Sequence, residues 1–184
     1  MGMAGIMLED QVAPKRCGHT KGKSVVTREE AFARIQAAVD ARKESGQDIV
    51  IMARTDARTT LGMDEAIERC KEFVQIGADI TFLEAPESVE EMKYYCENVK
   101  GPKLVNIVQN GKTPILPPHE LEEMGYTLCA YPVTCLGAAI KGMRENLELI
   151  KKGLPFEDSC ATFGEIKTVV GFDDYYIEEE RYKY

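Results

Sequence analysis

Between positions 15 and 23 the chain reads KRCGHTKGK, which sets Lys15, Arg16, Lys21 and Lys23 around Cys17, Gly18 and His19 with no acid among them. In a chain of formal net charge −8, such a cluster is a local trap for an anion. A thiol flanked by cations and close to a histidine is biased toward thiolate, and it can act as a proton donor and acceptor or as a nucleophile. Gly18 and Gly22 give the segment the freedom to close over a ligand. A basic surface turn with an incidental cysteine would have the same composition, whereas a metal site at Cys17 and His19 lacks a second ligand pair.

Other chemistry-bearing residues follow apolar runs. Glu9 and Asp10 close the first run, and carboxylates at such a place can hold a divalent cation through oxygen, with waters completing the shell. Arg54 follows the second run, and its planar fork suits a substrate carboxylate. Glu84 ends the third run and Asn106 the fourth. Each has a structural reading beside the functional one: Arg54 and Glu84 as an ion pair, Asn106 as a strand terminator. His119, after Pro117 and Pro118, reads as a surface residue at a helix start.

The elements that must position these residues alternate regularly. Short apolar runs at 4–8, 48–53, 79–83, 103–107 and 127–131 read as strands buried on both faces. Amphipathic segments lie between them. Thr27 with Glu30, and Ser88 with Glu91, predict capping boxes, and Gly46, Gly77 and Gly125 predict helix ends. The longest stripe, Leu136, Ile140, Met143, Leu147 and Ile150, predicts a helix over about 134–152, with shorter ones at 162–170 and 173–182. Alternation of this kind means parallel α/β. Polar residues gathered at the carboxyl ends of parallel strands describe the catalytic mouth of a (β/α) barrel or the crevice of an open doubly wound sheet. No G-x-G-x-x-G or G-x-x-x-x-G-K-[ST] string occurs, which favours the barrel.

Composition narrows the function classes. With 44% hydrophobic and 29% charged residues, the 184-residue chain is an ordinary soluble globular protein rather than a disordered one. Its acidic balance argues against nucleic acid or an anionic membrane as partner. No apolar run approaches the ~20 residues of a membrane span. Ile6 stands where a myristoylation pattern after Met1-Gly2 wants Ser or Thr. Six scattered cysteines without a C-x-x-C pair fit reduced thiols inside a cell, in cytoplasm or in an organelle matrix or stroma.

The strings GIMLEDQVAPKRCGHTKGK, IVIMARTDAR, GADITFLEAP, VNIVQNGKTP and GYTLCAYPVTCLGAAIKGM resemble the isocitrate lyase/phosphoenolpyruvate mutase superfamily over nearly the whole chain. PKRCGH is similar to the K-[KR]-C-G-H signature of its carbon–carbon lyases, which the mutase branch lacks. The resemblance implies a (β/α)8 TIM barrel, of which residues 1–153 would supply strands four to eight and 154–184 a helical extension exchanged with a neighbouring subunit. It also implies a homo-oligomer, a tetramer in the family. The implied chemistry is a Mg²⁺-dependent cleavage, with Mn²⁺ as the alternative ion, of a 2-hydroxy di- or tricarboxylate to an α-keto acid and a second acid through an enolate.

Carried over by position, Cys17 would protonate the enolate, and His19 and Glu84 would complete the catalytic set. Gly18, Arg54, Glu84 and Asn106 would line the substrate, and Lys15, Arg16, Lys21 and Lys23 would belong to the gating loop. Glu9 would hold the metal through water. The direct aspartate ligands would come from three βα units ahead of residue 1, which also leaves an open edge at the first strand. Gly137 stands where tricarboxylate-cleaving relatives carry arginine, which implies a smaller dicarboxylate. Three alternatives stay open: an oxaloacetate hydrolase, a phosphonate-handling enzyme, and a non-catalytic fragment that acts only by association.

Overall fold

The structure is a computed structural model that describes residues 2–19 and 22–183. It divides into two compact units, Met1–Val133 and Thr134–Tyr184.

In the first unit five strands, β1 (Gly5–Glu9), β2 (Val50–Thr55), β3 (Ile80–Leu83), β4 (Lys103–Asn106) and β5 (Leu128–Ala130), form one sheet. All neighbouring pairs are parallel and the spatial order is the chain order, β1-β2-β3-β4-β5. A doubly wound sheet reverses its order at a switch point. Monotonic order is the winding of a barrel, so the sheet is a five-stranded arc of one.

The helices α1 (Arg28–Ser45), α2 (Ala57–Leu61), α3 (Met63–Ile76), α4 (Val89–Asn98) and α5 (Pro118–Met124) connect the strands. Their apolar stripes bury Ile35 and Val39 with Ile51 and Ala53, and Ile67, Cys70, Met92 and Tyr95 with Leu83 and Val105. Phe32 meets Phe73 edge to face at 5.9 Å.

Thr27 and Ser88 do cap α1 and α4 by accepting from the amides of Glu30 and Glu91. The return half of each box is diverted, because the Glu30 carboxylate pairs with Arg34 and that of Glu91 with Arg58. A complete box forms instead at Thr162 and Glu165.

Alternation along the strands sets the site. The register pairs Met7 with Met52, Glu9 with Arg54, Met52 with Ile80, Arg54 with Phe82, Phe82 with Leu104 and Asn106 with Ala130. These residues therefore share one face, the inner face of the arc. Asp10, Ala53, Thr55 and Leu83 belong to the other face, toward the helices. Continuous burial predicted for all five runs holds in the centre but not at the edges, where Met7 is 50% exposed because β1 has one neighbour.

The second unit holds α6 (Thr134–Lys151), a 3-10 turn (Glu157–Ser159), α7 (Phe163–Val169) and α8 (Phe172–Arg181). The stripe that predicts α6, Leu136, Ile140, Met143, Leu147 and Ile150, is exposed along its whole length. Among the described residues, no helix is long and apolar enough to cross a membrane. No disulfide forms among the described residues.

Candidate active site

At the carboxyl ends of the strands, the inner face gathers Glu9, Arg54, Glu84 and Asn106. Arg54 is nearly buried and stacks its guanidinium on Phe82, 4.9 Å from the ring centre. Its fork is taken by Asp56, with Nε donating at 2.7 Å to Oδ2 and an Nη at 3.2 Å to Oδ1. Glu9 Oε2 lies 3.4 Å from the same Nε, and Glu84 Oε1 lies 3.7 Å from an Nη. Burial opposes the charge on Arg54, but the Asp56 hydrogen bonds and the negative charges of Glu84, Asp56 and Glu9 outweigh it and raise its already high pKa. Burial also works against ionised Asp56. The Arg54 hydrogen bonds and the charges of Arg54 and Lys23 prevail, and they hold its carboxyl below the usual range.

Glu84 has a side chain only 1% exposed. Its Oε1 accepts from Asn106 Nδ2 at 3.4 Å and lies 3.3 Å from His19 Nε2, off the line of a good hydrogen bond. Oε2 has no hydrogen-bond partner. The Lys112 amide donates to His19 Nδ1 at 3.1 Å, which puts the proton of a neutral imidazole on Nε2, toward Glu84. Gly18 packs against the Glu84 carboxylate so closely that a Cβ there would overlap it. A Cβ at Gly111 would stand 2.8 Å from His19 Nδ1. Two loops thus press the histidine onto the glutamate, and each has a glycine at the point of contact.

The lid leaves β1 and returns to α1 through a closed neck. Val12 donates to Ser24 O and Val26 to Asp10 O, both at 2.9 Å. Cys17 is exposed on this lid. Lys15 bridges to Glu9 at 2.9 Å, and Arg16 is exposed. Lys21 lies outside the described residues.

Lys23, one of the cations that the sequence assigns to an anion trap, is buried and already paired. Its side chain is 1% exposed, and its ammonium is bound to Asp56 Oδ1 at 3.0 Å and Gly18 O at 2.5 Å. The anion trap is therefore reduced, since Lys15 and Lys23 already have carboxylate partners.

Glu9 is an oxygen donor of the kind a hard divalent cation takes. Among the described residues, however, no three acids, histidines or cysteines gather closely enough to hold a metal ion. Glu9 could fill one position of a shell, and these residues do not complete it.

Sequence reasoning read Asp10 as an oxygen ligand beside Glu9, which the fold corrects, and it missed other residues that the fold brings in. Asp10 turns to the helix side, where it accepts from Thr55 Oγ1 at 2.6 Å, the Asp56 amide at 2.9 Å and Arg69 of α3 at 3.0 Å. Gln11 grips the Arg16 backbone, and Lys112 bonds to Glu87 at 2.9 Å. Thr113 is buried with an unpartnered hydroxyl. The Asn110-Gly111 turn signal was readable in the sequence, but nothing local marked its contact with His19.

The arrangement gathers the donors of Arg54, Asn106 and His19 around the buried carboxylates of Glu84 and Asp56, beside a loop that carries a thiol. Comparison with known proteins agrees with the fold. The phosphoenolpyruvate phosphomutase family model matches residues 1–151. The 2,3-dimethylmalate lyase of Eubacterium barkeri is 43% identical over 100% of this chain and 63% of that protein. The petal death protein of Dianthus caryophyllus is 39% identical over 99% and 58%.

Among solved structures, an oxaloacetate acetylhydrolase bound to 3,3-difluorooxalacetate superposes with a TM-score of 0.87 at 35% identity, covering 96% of this chain and 60% of that one. A 2,3-dimethylmalate lyase gives 0.85 at 38%, covering 97% and 60%. The chain thus spans about 60% of the length of the relatives it matches. By the extent of the family match and the barrel-type sheet, the chain belongs to the phosphoenolpyruvate mutase/isocitrate lyase superfamily.

Proposed function

We propose that the chain supplies the lid and the acid–base wall of a carbon–carbon lyase that cleaves a 2-hydroxy dicarboxylate to an α-keto acid and a second carboxylic acid. The observation that carries this reading is the Gly18–His19 lid segment seated on buried Glu84, with Arg54 and Asn106 on the same inner face. In such a cleavage the hydroxyl gives up its proton and the carbinol carbon becomes a carbonyl. The adjacent carbon–carbon bond breaks, and its electron pair leaves on the departing fragment as an enolate.

Arg54 and Asn106 orient the substrate carboxylates by charge-assisted and neutral hydrogen bonds. Glu84, with Oε2 unpartnered, is placed to take the hydroxyl proton. Cys17 returns a proton to the enolate carbon, and lid closure keeps out the water that would otherwise quench it. The resemblance also implies Mg²⁺ or Mn²⁺, toward which this chain would contribute Glu9 alone. The exposed α6 stripe supports assembly as a homo-oligomer. Gly137, in place of an arginine, supports a dicarboxylate over a tricarboxylate.

A second reading, hydrolysis of oxaloacetate, is favoured by the likeness to the solved acetylhydrolase. A panel of malate derivatives, oxaloacetate and a phosphonate, assayed on the complete protein for glyoxylate, pyruvate or oxalate, separates these readings. Cys17→Ser should lower lyase turnover by roughly 10²- to 10⁴-fold. Unchanged turnover would overturn the role of Cys17, and turnover of a phosphonate independent of Cys17 would favour the mutase type of chemistry.

A further inference from the structure

We propose that Gln11 and Lys23 are positioning residues that clamp the lid from both sides of Cys17. Gln11 is buried, and its side-chain amide pairs with one residue as a strand would. Its Nε2 donates to Arg16 O at 2.9 Å, and its Oε1 accepts from Arg16 N at 2.8 Å. On the far side of Cys17, Lys23 Nζ donates to Gly18 O at 2.5 Å and to Asp56 Oδ1 at 3.0 Å. The backbone just before the thiol residue and just after it is thus tied to side chains outside the Arg16–Gly18 segment.

The two ties have different chemistry and different anchors. Gln11 is fixed at the end of β1, beside the neck of the lid, and makes a Gln11–Val25 bridge. Lys23 is fixed through Asp56, whose carboxylate also takes the fork of Arg54 and whose amide donates to Asp10. A fully desolvated ammonium persists only where an ionised partner and further acceptors satisfy it. Asp56 is already bidentate with Arg54, so the fold does not need Lys23 to neutralise that carboxylate. What Lys23 adds is the grip on Gly18 O, and it links the height of the lid to the arginine on the inner face. The catalytic meaning of the clamp rests on the lyase reading above, but the clamp itself does not.

The test uses the full 184-residue chain and needs no turnover. Hydrogen exchange by peptide mass spectrometry is followed in Lys23→Ala and Gln11→Ala, with melting followed in parallel. Each variant should speed exchange across 15–19 by about tenfold or more while leaving β2 and β3 unchanged, because local opening is separable from global unfolding. Millimolar n-propylammonium should restore slow exchange in Lys23→Ala by refilling the vacated ammonium site, and it should leave Gln11→Ala unaffected.

Unchanged exchange at 15–19 in both variants would overturn the proposal. So would a rise shared equally by β2 and β3, since that marks the groups as general supports of the fold. If Lys23→Ala fails to fold, Gln11→Ala, which removes no charge, decides alone; loss of the fold in both overturns the clamp. A chain with no lyase activity but the predicted exchange pattern would refute the proposed function and leave the clamp standing.

Discussion

Replacing Arg69 by methionine should destabilise the chain by an amount that depends on pH in a definite direction. Arg69 is buried on α3 and makes three hydrogen bonds, to Asp10 Oδ2 at 3.0 Å, Glu65 Oε1 at 2.8 Å and Val26 O at 2.9 Å. Without it, Glu65 keeps Arg28 as a partner, but Asp10, 1% exposed, keeps only the Thr55 hydroxyl and the Asp56 amide. Removing one member of a buried pair costs about 3–5 kcal/mol when the other must stay charged. That is a large share of the roughly 5–15 kcal/mol that holds a typical domain together.

The pH dependence follows from Asp10. Burial already pushes its carboxyl above the usual value, against Thr55, the Asp56 amide and Arg69, which favour the charged form. Arg69→Met removes one of those opposing groups and drives the carboxyl higher. Between the usual carboxylate value near ~3.9 and this raised one, the native state binds a proton that the unfolded chain has released, so stability falls as pH rises by up to about 1.4 kcal/mol per unit. As pH falls below that raised value and Asp10 takes up its proton, the penalty should shrink to about 1–3 kcal/mol, the loss of the remaining hydrogen bonds.

Urea denaturation followed by circular dichroism across a pH series reads both numbers. The Asp10→Asn background should abolish the pH dependence that Arg69→Met introduces. A penalty that is flat with pH and below about 1 kcal/mol, or one that grows on acidification, would refute the reasoning, because it would mean that Asp10 does not depend on Arg69.

Other outcomes follow from the same contacts. Gly18→Ala should lower stability or hold the lid open at a cost of about 1–3 kcal/mol, because the new Cβ overlaps Glu84, whereas Gly137→Ala in α6 meets nothing within 4 Å and should be neutral or stabilising; paired melting curves check this. Asp56, with its carboxyl held low, contributes stability that is present above about pH 4 and lost as pH falls through its lowered value, so Asp56→Asn should remove that acid-induced step in a denaturation series. Burial pushes the Cys96 thiol up to about 11, and its alkylation at neutral pH should be far slower than that of exposed Cys160, a contrast that peptide mapping measures.

Much of the fold was legible because periodicity is a local property. All five strands were visible as apolar runs, and α1, α3, α4 and α6 as stripes with glycine or capping signals at their ends. The errors have physical causes. The run at 48–53 was read as ending at Ala53, but β2 continues through Arg54 and Thr55, since polar residues at a strand end still join the ladder with Glu9 and Leu83. The short α2 was invisible, as ARTTL carries no amphipathic period. Lys23 counts in the sequence as part of the anion trap because its partner, Asp56, lies 33 positions away. The α6 stripe is legible as a helix, but a local period does not say what covers it, and its apolar residues are exposed in this chain.

The sequence by itself determined the strand-end chemistry: two adjacent acids after the first strand, an arginine after the second, a glutamate and an asparagine after the next two, and a basic loop carrying a thiol. Those identities and their spacing along the chain are what the resemblance rested on. Only the tertiary structure decided which of the two acids lies on the inner face beside Arg54. Successive side chains point to opposite faces of a strand, so one residue separates the inner face from the helix side. Pairing with β2 turns Glu9 inward beside Arg54 and leaves Asp10 outward, buried against an arginine that α3 delivers from 59 positions away.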